Sequence, residues 1–170
     1  MPDPLSRHQT DSGAVAFADH DHSRCAGALL SRAAAVAEAR GVRLTPVRRR
    51  TLEILLEAHR ALGAYDVLDR LRASGFGGQP PVAYRALEFL VENGLAHRIR
   101  RLNAFAACAH PGEAHQAAFL ICRGCHAIAE APAGEVRAAL DRSAVAAGFL
   151  VERASIEASG LCPSCGEAGA

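Results

Sequence analysis

The stretch PPVAYRALEFLVENGLAHRIRRLNAFAAC, residues 80–108, decides the fold. From Val82 to Asn93 the apolar residues recur at helical spacing. Ala83, Leu87, Leu90 and Val91 share one face, Arg85, Glu88 and Glu92 take the opposite one, and Tyr84 lies at the border. Gly94 stops the helix. The period then changes, and Leu95–Arg101 and Ala104–Cys108 read as two short strands around a turn containing Asn103. On the first strand His97 shares a face with Leu95, Ile99 and Arg101, while Arg98 and Arg100 point the other way. A helix followed by a hairpin is the closing half of a winged helix-turn-helix unit. In such a unit the last helix enters a DNA major groove and the hairpin touches the backbone.

Upstream, the pattern predicts the helices that such a unit needs. One spans Ala26 to Ala39 and ends near Gly41. A second starts at Thr45-Pro46, with Thr as N-cap and Pro at the first helical position. It carries Val47, Thr51, Ile54, Leu55 and Ala58 on one face. A third spans Ala64 to Ala73, with Ala64, Leu68 and Leu71 facing inward. GFGGQPP (75–81) separates it from the fourth. Residues 1–24 read as a mobile polar leader, and His8 and His59 as surface residues.

Downstream, Phe119–Cys122 and Ala127–Glu130 read as strands, Gly134–Ala147 as an amphipathic helix with Val136, Leu140 and Val145 among its apolar positions, and Leu150–Ser159 as a strand. Two knuckles bracket this region, Cys122-Arg-Gly-Cys125 and Cys162-Pro-Ser-Cys165. Two residues between cysteines let one tight turn aim both sulfurs at a single ion at about 2.3 Å, and four thiolates make a closed tetrahedral zinc site. The 36 residues between the pairs can supply strand, helix and strand to return one knuckle to the other. Redox work by one C-x-x-C pair would need a thioredoxin-like pattern, which the chain lacks. Cys122–His126 also spells C-x-x-C-H, the haem-attachment motif, but that chemistry belongs to exported proteins. His126 reads as a knuckle residue with no ligand role.

Composition bounds the class. Half the residues are hydrophobic, enough for buried cores, and no apolar run approaches the roughly 20 residues that span a bilayer. MPDPLSRHQTDSG (1–13) has no signal-peptide core, so the expected location is the cytoplasm, where paired cysteines bind metal or do redox chemistry. Residues 1–39 hold three Arg and five acids, residues 40–101 twelve Arg and six acids, and residues 102–170 four Arg and seven acids. The net charge of +1 therefore hides a basic middle segment, which points to a polyanion-binding surface there. Arg48, Arg49, Arg50, Arg98 and Arg100 are the candidates for phosphate contacts. A boundary near 108–116 separates this basic helical half from an acidic mixed half.

Cys25 and Cys108 remain. Cys108 has the donors His97, His110, His115 and Glu130 nearby in sequence, with His97 on one hairpin strand and Cys108 at the end of the other. A metal site and a buried cysteine beside surface histidines both fit that spacing. His20 and His22 in DHDHSRC (19–25), with Cys25, form a weaker metal-type patch or a solvated one.

Five stretches then carry a resemblance: VRLTPVRRRTLEIL (42–55), AYDVLDRLR (64–72), PPVAYRALEFLVENGLAHRI (80–99), AAFLICRGCHAIAE (117–130) and IEASGLCPSC (156–165). Over about residues 40–166 the chain resembles the ferric uptake regulator superfamily, and most of all its zinc uptake regulator branch. The resemblance implies an α+β protein. A leader (1–24) would precede a winged helix-turn-helix DNA-binding domain (25–108) and a C-terminal α/β dimerisation domain (109–170) with a four-cysteine zinc site. It implies a structural zinc at Cys122, Cys125, Cys162 and Cys165, and a regulatory zinc at His97, Cys108, His115 and Glu130, with His110 a rival to His115. It implies DNA reading by Tyr65 and Arg85, and repression of zinc-uptake genes by a zinc-loaded homodimer on a palindromic operator. Two Zn2+ per chain, operator DNA and a second copy are the expected partners, with no membrane and no organic cofactor. Iron-sensing members resemble HHDHLIC before the first knuckle, whereas this chain has HQAAFLIC (115–122), which favours zinc. Val82-Ala83 replaces the family's usual threonine, so the start of helix four needs a different cap. The rival readings are an iron, manganese or peroxide sensor, a plain DNA-binding module, and a zinc enzyme using Glu130 as general base.

Overall fold

The computed structural model describes residue 17 and residues 21–57 and 59–167. His8, His20 and Ala58 lie outside the described residues. The N-terminal half comprises α1 (His22–Ala39), α2 (Pro46–Leu56), α3 (Ala64–Ala73) and α4 (Pro80–Glu92), then the hairpin strands β1 (Ala96–Ile99) and β2 (Ala104–Ala107). Helix α1 begins at His22 and not at Ala26, because the Asp21 carboxylate caps it by accepting the Arg24 N–H at 3.2 Å. Helix α4 begins at Pro80, before the expected Val82. Gln79 is its N-cap and makes no side-chain cap bond. Pro80 and Pro81 have no N–H, so two of the donors that a cap would satisfy do not exist. At the other end Gly94 adopts φ 65°, and Leu95 N–H reaches back to the Leu90 carbonyl at 2.8 Å.

Leu52, Ile54 and Leu55 of α2, Val67 and Leu71 of α3, and Leu87 and Leu90 of α4 form the helical core. Thr51 is buried within it, its hydroxyl donating to the Val47 carbonyl at 2.8 Å. The hairpin has two apolar faces. Its antiparallel register pairs His97 with Ala106 and Arg98 with Phe105. Ala96 and Phe105 join the helical core, whereas Ile99 and Ala106 pack with Phe119, Ile121 and Ile128 in a second cluster. The wing is thus shared between both halves of the chain.

The C-terminal half comprises β3 (Ala117–Cys122), β4 (Ile128–Pro132), α5 (Gly134–Ala146), β5 (Ile156–Gly160) and α6 (Pro163–Glu167). The sheet order is β4-β3-β5, with β3 antiparallel to β4 and parallel to β5. The crossover through α5 makes that parallel pairing possible, and its register sets Cys122 beside Gly160, next to the second knuckle. The last strand starts at Ile156; residues 150–155, expected to extend it, form no strand. On α5 the apolar Val136, Leu140 and Val145 are 54, 41 and 77% exposed, and only Ala144 is buried. His59 and Arg60 join the halves, since Ile128 N–H donates to the His59 carbonyl and Arg60 bridges Ala127, while Leu62 next to them bridges Phe105 of the wing. Among the described residues no helix is long and apolar enough to cross a membrane.

Candidate metal centres and nucleic-acid interface

The first knuckle leaves β3 and the second follows β5, so the parallel pairing of those strands brings the knuckles together. The sulfurs of Cys122, Cys125, Cys162 and Cys165 all lie within 4.8 Å of one another. Cys125 and Cys162 are 3.7 Å apart, close to the edge of about 3.8 Å that a zinc–sulfur tetrahedron with 2.3 Å bonds would have. His126 is exposed, takes a left-handed φ of 63°, and stands outside the thiol set. Gly124 sits tight against the second knuckle: a Cβ there would stand 3.0 Å from the Cys165 sulfur. Backbone N–H groups, first that of Cys125 and then that of Cys162, pull the Cys122 thiol down to about 6. Hydrogen bonding among the thiols, first with Cys162, pushes Cys165 up to about 12. Four sulfurs this close cannot all ionise without a cation between them, and a divalent soft-tolerant ion resolves the conflict.

The second set is built from four places. His97 sits on β1, Cys108 just past β2, His115 in the loop before β3 and Glu130 on β4, and one ligand atom from each lies within 4.8 Å of all the others. His97 Nε2 is 3.3 Å from Glu130 Oε2, and Cys108 Sγ is 3.7 Å from His115 Nε2. These match the edges of about 3.3 and 3.6 Å expected around a tetrahedral zinc. His115 Nε2 is 2.5 Å from Glu130 Oε1, shorter than such an edge. His97 Nε2 and Glu130 Oε1 are fully buried in this cluster, where they converge with the other donors. The outer contacts orient the donors: His115 Nδ1 lies 2.9 Å from the Glu113 carbonyl, and Ala109 N–H donates to Glu130 Oε2 at 2.9 Å. His110 Nδ1 stands 3.7 Å from Glu130 Oε1, outside the four-donor set.

Burial opposes ionisation of Glu130, but the hydrogen bond and charge of His97, with the Ala109 N–H, bring its carboxyl to about 2. Burial, followed by the Glu130 charge, pushes the Cys108 thiol up to about 12. The carboxylate is therefore ready for a cation, while the thiolate forms only with one present.

In the helical half, Tyr65 at the start of α3 is 65% exposed, and Tyr84 and Arg85 are exposed on α4. On the wing, Arg98 donates to Asn103 Oδ1 at 3.1 Å, and the Arg100 side chain is exposed. Arg48, Arg49 and Arg50 are more engaged within the chain. Arg48 lies 3.6 Å over the Phe89 ring, Arg49 pairs with Glu53, and Arg50 pairs with Glu53 and Glu57. Their charge is partly balanced before any phosphate arrives.

Two polar contacts had no sequence signal, because each joins residues far apart in the chain. Glu157 reaches the wing tip, and His59, read as a surface residue, is half-buried against His22.

A winged helix whose wing supplies two donors of a four-donor cluster defines a metal-responsive regulator of the winged-helix class. No protein-family profile matches the chain. It is 37% identical over 140 residues, 82% of each chain, to the zinc uptake regulation protein of Escherichia coli (strain K12). Its structure superposes on a zinc uptake regulator complexed with zinc and DNA with a TM-score of 0.79, at 36% identity over 85% of this chain and 97% of the other. For holo XcZur the values are 0.72 and 35% over 86 and 99%, and for apo XcZur 0.50 and 37% over 84 and 99%. The chain belongs to the zinc uptake regulator family.

Proposed function

We propose that the protein is a zinc-responsive, DNA-binding repressor of zinc-uptake genes. It works in the cytoplasm as a homodimer on a palindromic operator and holds two tightly bound zinc ions per chain. The observation that carries this reading is the convergence of His97 and Cys108, from the wing, with His115 and Glu130, from the C-terminal half, within 4.8 Å. An ion there ties the reading head to the rest of the chain and selects one arrangement of the two. Moving such an equilibrium from 1:99 to 99:1 takes about 5.5 kcal/mol of differential affinity. The four-cysteine ion holds the knuckles and senses nothing.

The superpositions support the zinc-selected arrangement, since the chain matches the holo relative at 0.72 and the apo relative at 0.50. The Cys108 sulfur supports zinc over iron or manganese, which prefer harder donors. Four protein donors close the site, whereas a catalytic zinc keeps a position open for water. Homodimerisation is supported by the exposed Val136, Leu140 and Val145 on α5 and by Phe149 and Leu150 beyond it, an apolar surface that a second copy would cover. In the complex α4 enters the major groove, Arg85 meets a guanine, Tyr65 and Tyr84 flank it, and Arg98 and Arg100 of the wing meet phosphates. Arg48, Arg49 and Arg50 add to the basic surface. The first domain then runs from the α1 cap, 21–108, and not from 25 as the sequence suggests, and the second is 109–170, with the wing at their seam.

The test is a gel shift with operator DNA, with zinc and with chelator. Retardation only with zinc is expected; equal affinity in both conditions overturns the sensor reading.

A further inference from the structure

Apart from both donor clusters, α1 and the segment after α2 meet at two histidines. His22 Nδ1 lies 3.2 Å from His59 Nε2, and the rings stand edge to face with centroids 4.5 Å apart. Two imidazole nitrogens bound to one zinc ion at about 2.0–2.1 Å, at a tetrahedral angle, would be about 3.3 Å apart. Cys25 follows His22 by three residues on α1, so the two side chains share a helix face. Both, with His59, line one cavity of about 220 Å³. We propose that His22, His59 and Cys25 form a third metal site, taking Zn2+ or another borderline-soft divalent cation, with water completing the coordination.

The donor chemistry suits such an ion, since two imidazoles and a thiol are the ligands that zinc, and not magnesium or calcium, prefers. Among the described residues only the two clusters above bring three ligand atoms within 4.8 Å, so Cys25 is the more distant donor. For Cys25 to bind the same ion its Sγ has to move toward the two imidazoles, and rotation about χ1 is the side chain's one freedom. Three protein donors and the nearby Arg60 make this the weakest of the three sites. Arg32, which also lines the cavity, is paired with Glu113.

The position gives the site a structural consequence. The His59 carbonyl accepts the Ile128 N–H at 2.8 Å, and Glu130 also lines the cavity. An ion here clips the start of α1 onto the strip that joins the helical half to β4. It would add hold to the seam at zinc concentrations above those that fill the tighter sites.

The experiment is a zinc titration of the metal-stripped full chain against a chromophoric chelator, for wild type, His22→Ala, His59→Ala and Cys25→Ser. Wild type is expected to take up one weak equivalent beyond those removed by Cys108→Ser and Cys165→Ser. Each histidine variant is expected to weaken that equivalent at least tenfold while keeping the tightly held zinc. With Co2+, Cys25→Ser is expected to lose the thiolate charge-transfer band of the weak equivalent. Retained tight zinc and an unchanged circular dichroism spectrum report folding of each variant, and His22, on the first turn of α1, is the substitution least able to disturb it. The proposal is overturned if wild type shows no weak equivalent, or if that equivalent survives both histidine substitutions. In either case the contact is an imidazole hydrogen bond only.

Discussion

The Glu157 carboxylate on β5 accepts the backbone N–H of Arg101, at the tip of the wing, at 2.8 Å. Its other oxygen accepts the Arg100 N–H at 2.7 Å and the Ser155 hydroxyl at 3.0 Å. One acid thus fixes the wing turn to the strand that leads into the second cysteine knuckle. Hydrogen bonds to a charged acceptor contribute about 1.5–3 kcal/mol each, so Glu157→Gln is expected to cost about 1–3 kcal/mol in urea unfolding at pH 7. It is also expected to weaken zinc-dependent operator binding while leaving the zinc content unchanged. Unaltered operator affinity would show that the wing tip needs no such anchor.

The same contact sets a pH dependence. Burial works against the charge of Glu157, but the Arg101 and Arg100 N–H groups and Ser155 together hold its carboxyl below the ordinary carboxylate range. A depressed folded pKa contributes stability that is complete above the unfolded value of about 4.3 and is lost as pH falls through the folded one. The stability difference between wild type and Glu157→Gln should therefore be constant from pH 7 to about 5 and shrink below about 4. Urea melts across that range measure it.

Gly124→Ala tests the first knuckle. The added methyl meets the Cys165 sulfur at 3.0 Å and the Cys165 Cβ at 3.1 Å, so Cys165 has to give by a few tenths of an ångström. Overpacking of this kind costs about 1–3 kcal/mol. Faster loss of structural zinc to a chelator and a lower Tm are expected, with the regulatory site still filled.

Arg85 and Arg100 should separate by the way they fail. Under the proposed reading Arg85 contacts a base, so Arg85→Ala is expected to cost about 1–3 kcal/mol against the cognate operator, with little effect on random DNA. Under the same reading Arg100 contacts a phosphate, so Arg100→Ala is expected to weaken both alike, reducing the salt slope by about one. Fluorescence anisotropy at several salt concentrations distinguishes them.

The winged helix was legible because residues 80–108 switch from helical to alternating period within a few residues of Gly94, and because Thr45-Pro46 punctuates α2. Cysteine spacing made the knuckles legible for a chemical reason, since two residues set the bite of a turn on one ion. Contacts between distant residues were not legible. Nothing local in Glu157 announces a partner 56 residues earlier, and His59 resembled any exposed histidine until α1 brought His22 to it. The parallel pairing of β3 with β5 depends on a crossover that the pattern of each strand does not record. Val136, Leu140 and Val145 showed the apolar period of a covered helix, yet nothing within this chain covers them among the described residues. Under the homodimer reading, Leu140→Glu should shift sedimentation from dimer toward monomer.

The most direct test of the central claim is the zinc content of Cys108→Ser, measured with its operator affinity. The sensing reading predicts two tightly held zinc ions per chain in wild type, one in the variant, and loss of zinc-dependent DNA binding. An unchanged zinc content, or DNA binding that still answers to zinc at wild-type concentrations, would contradict it.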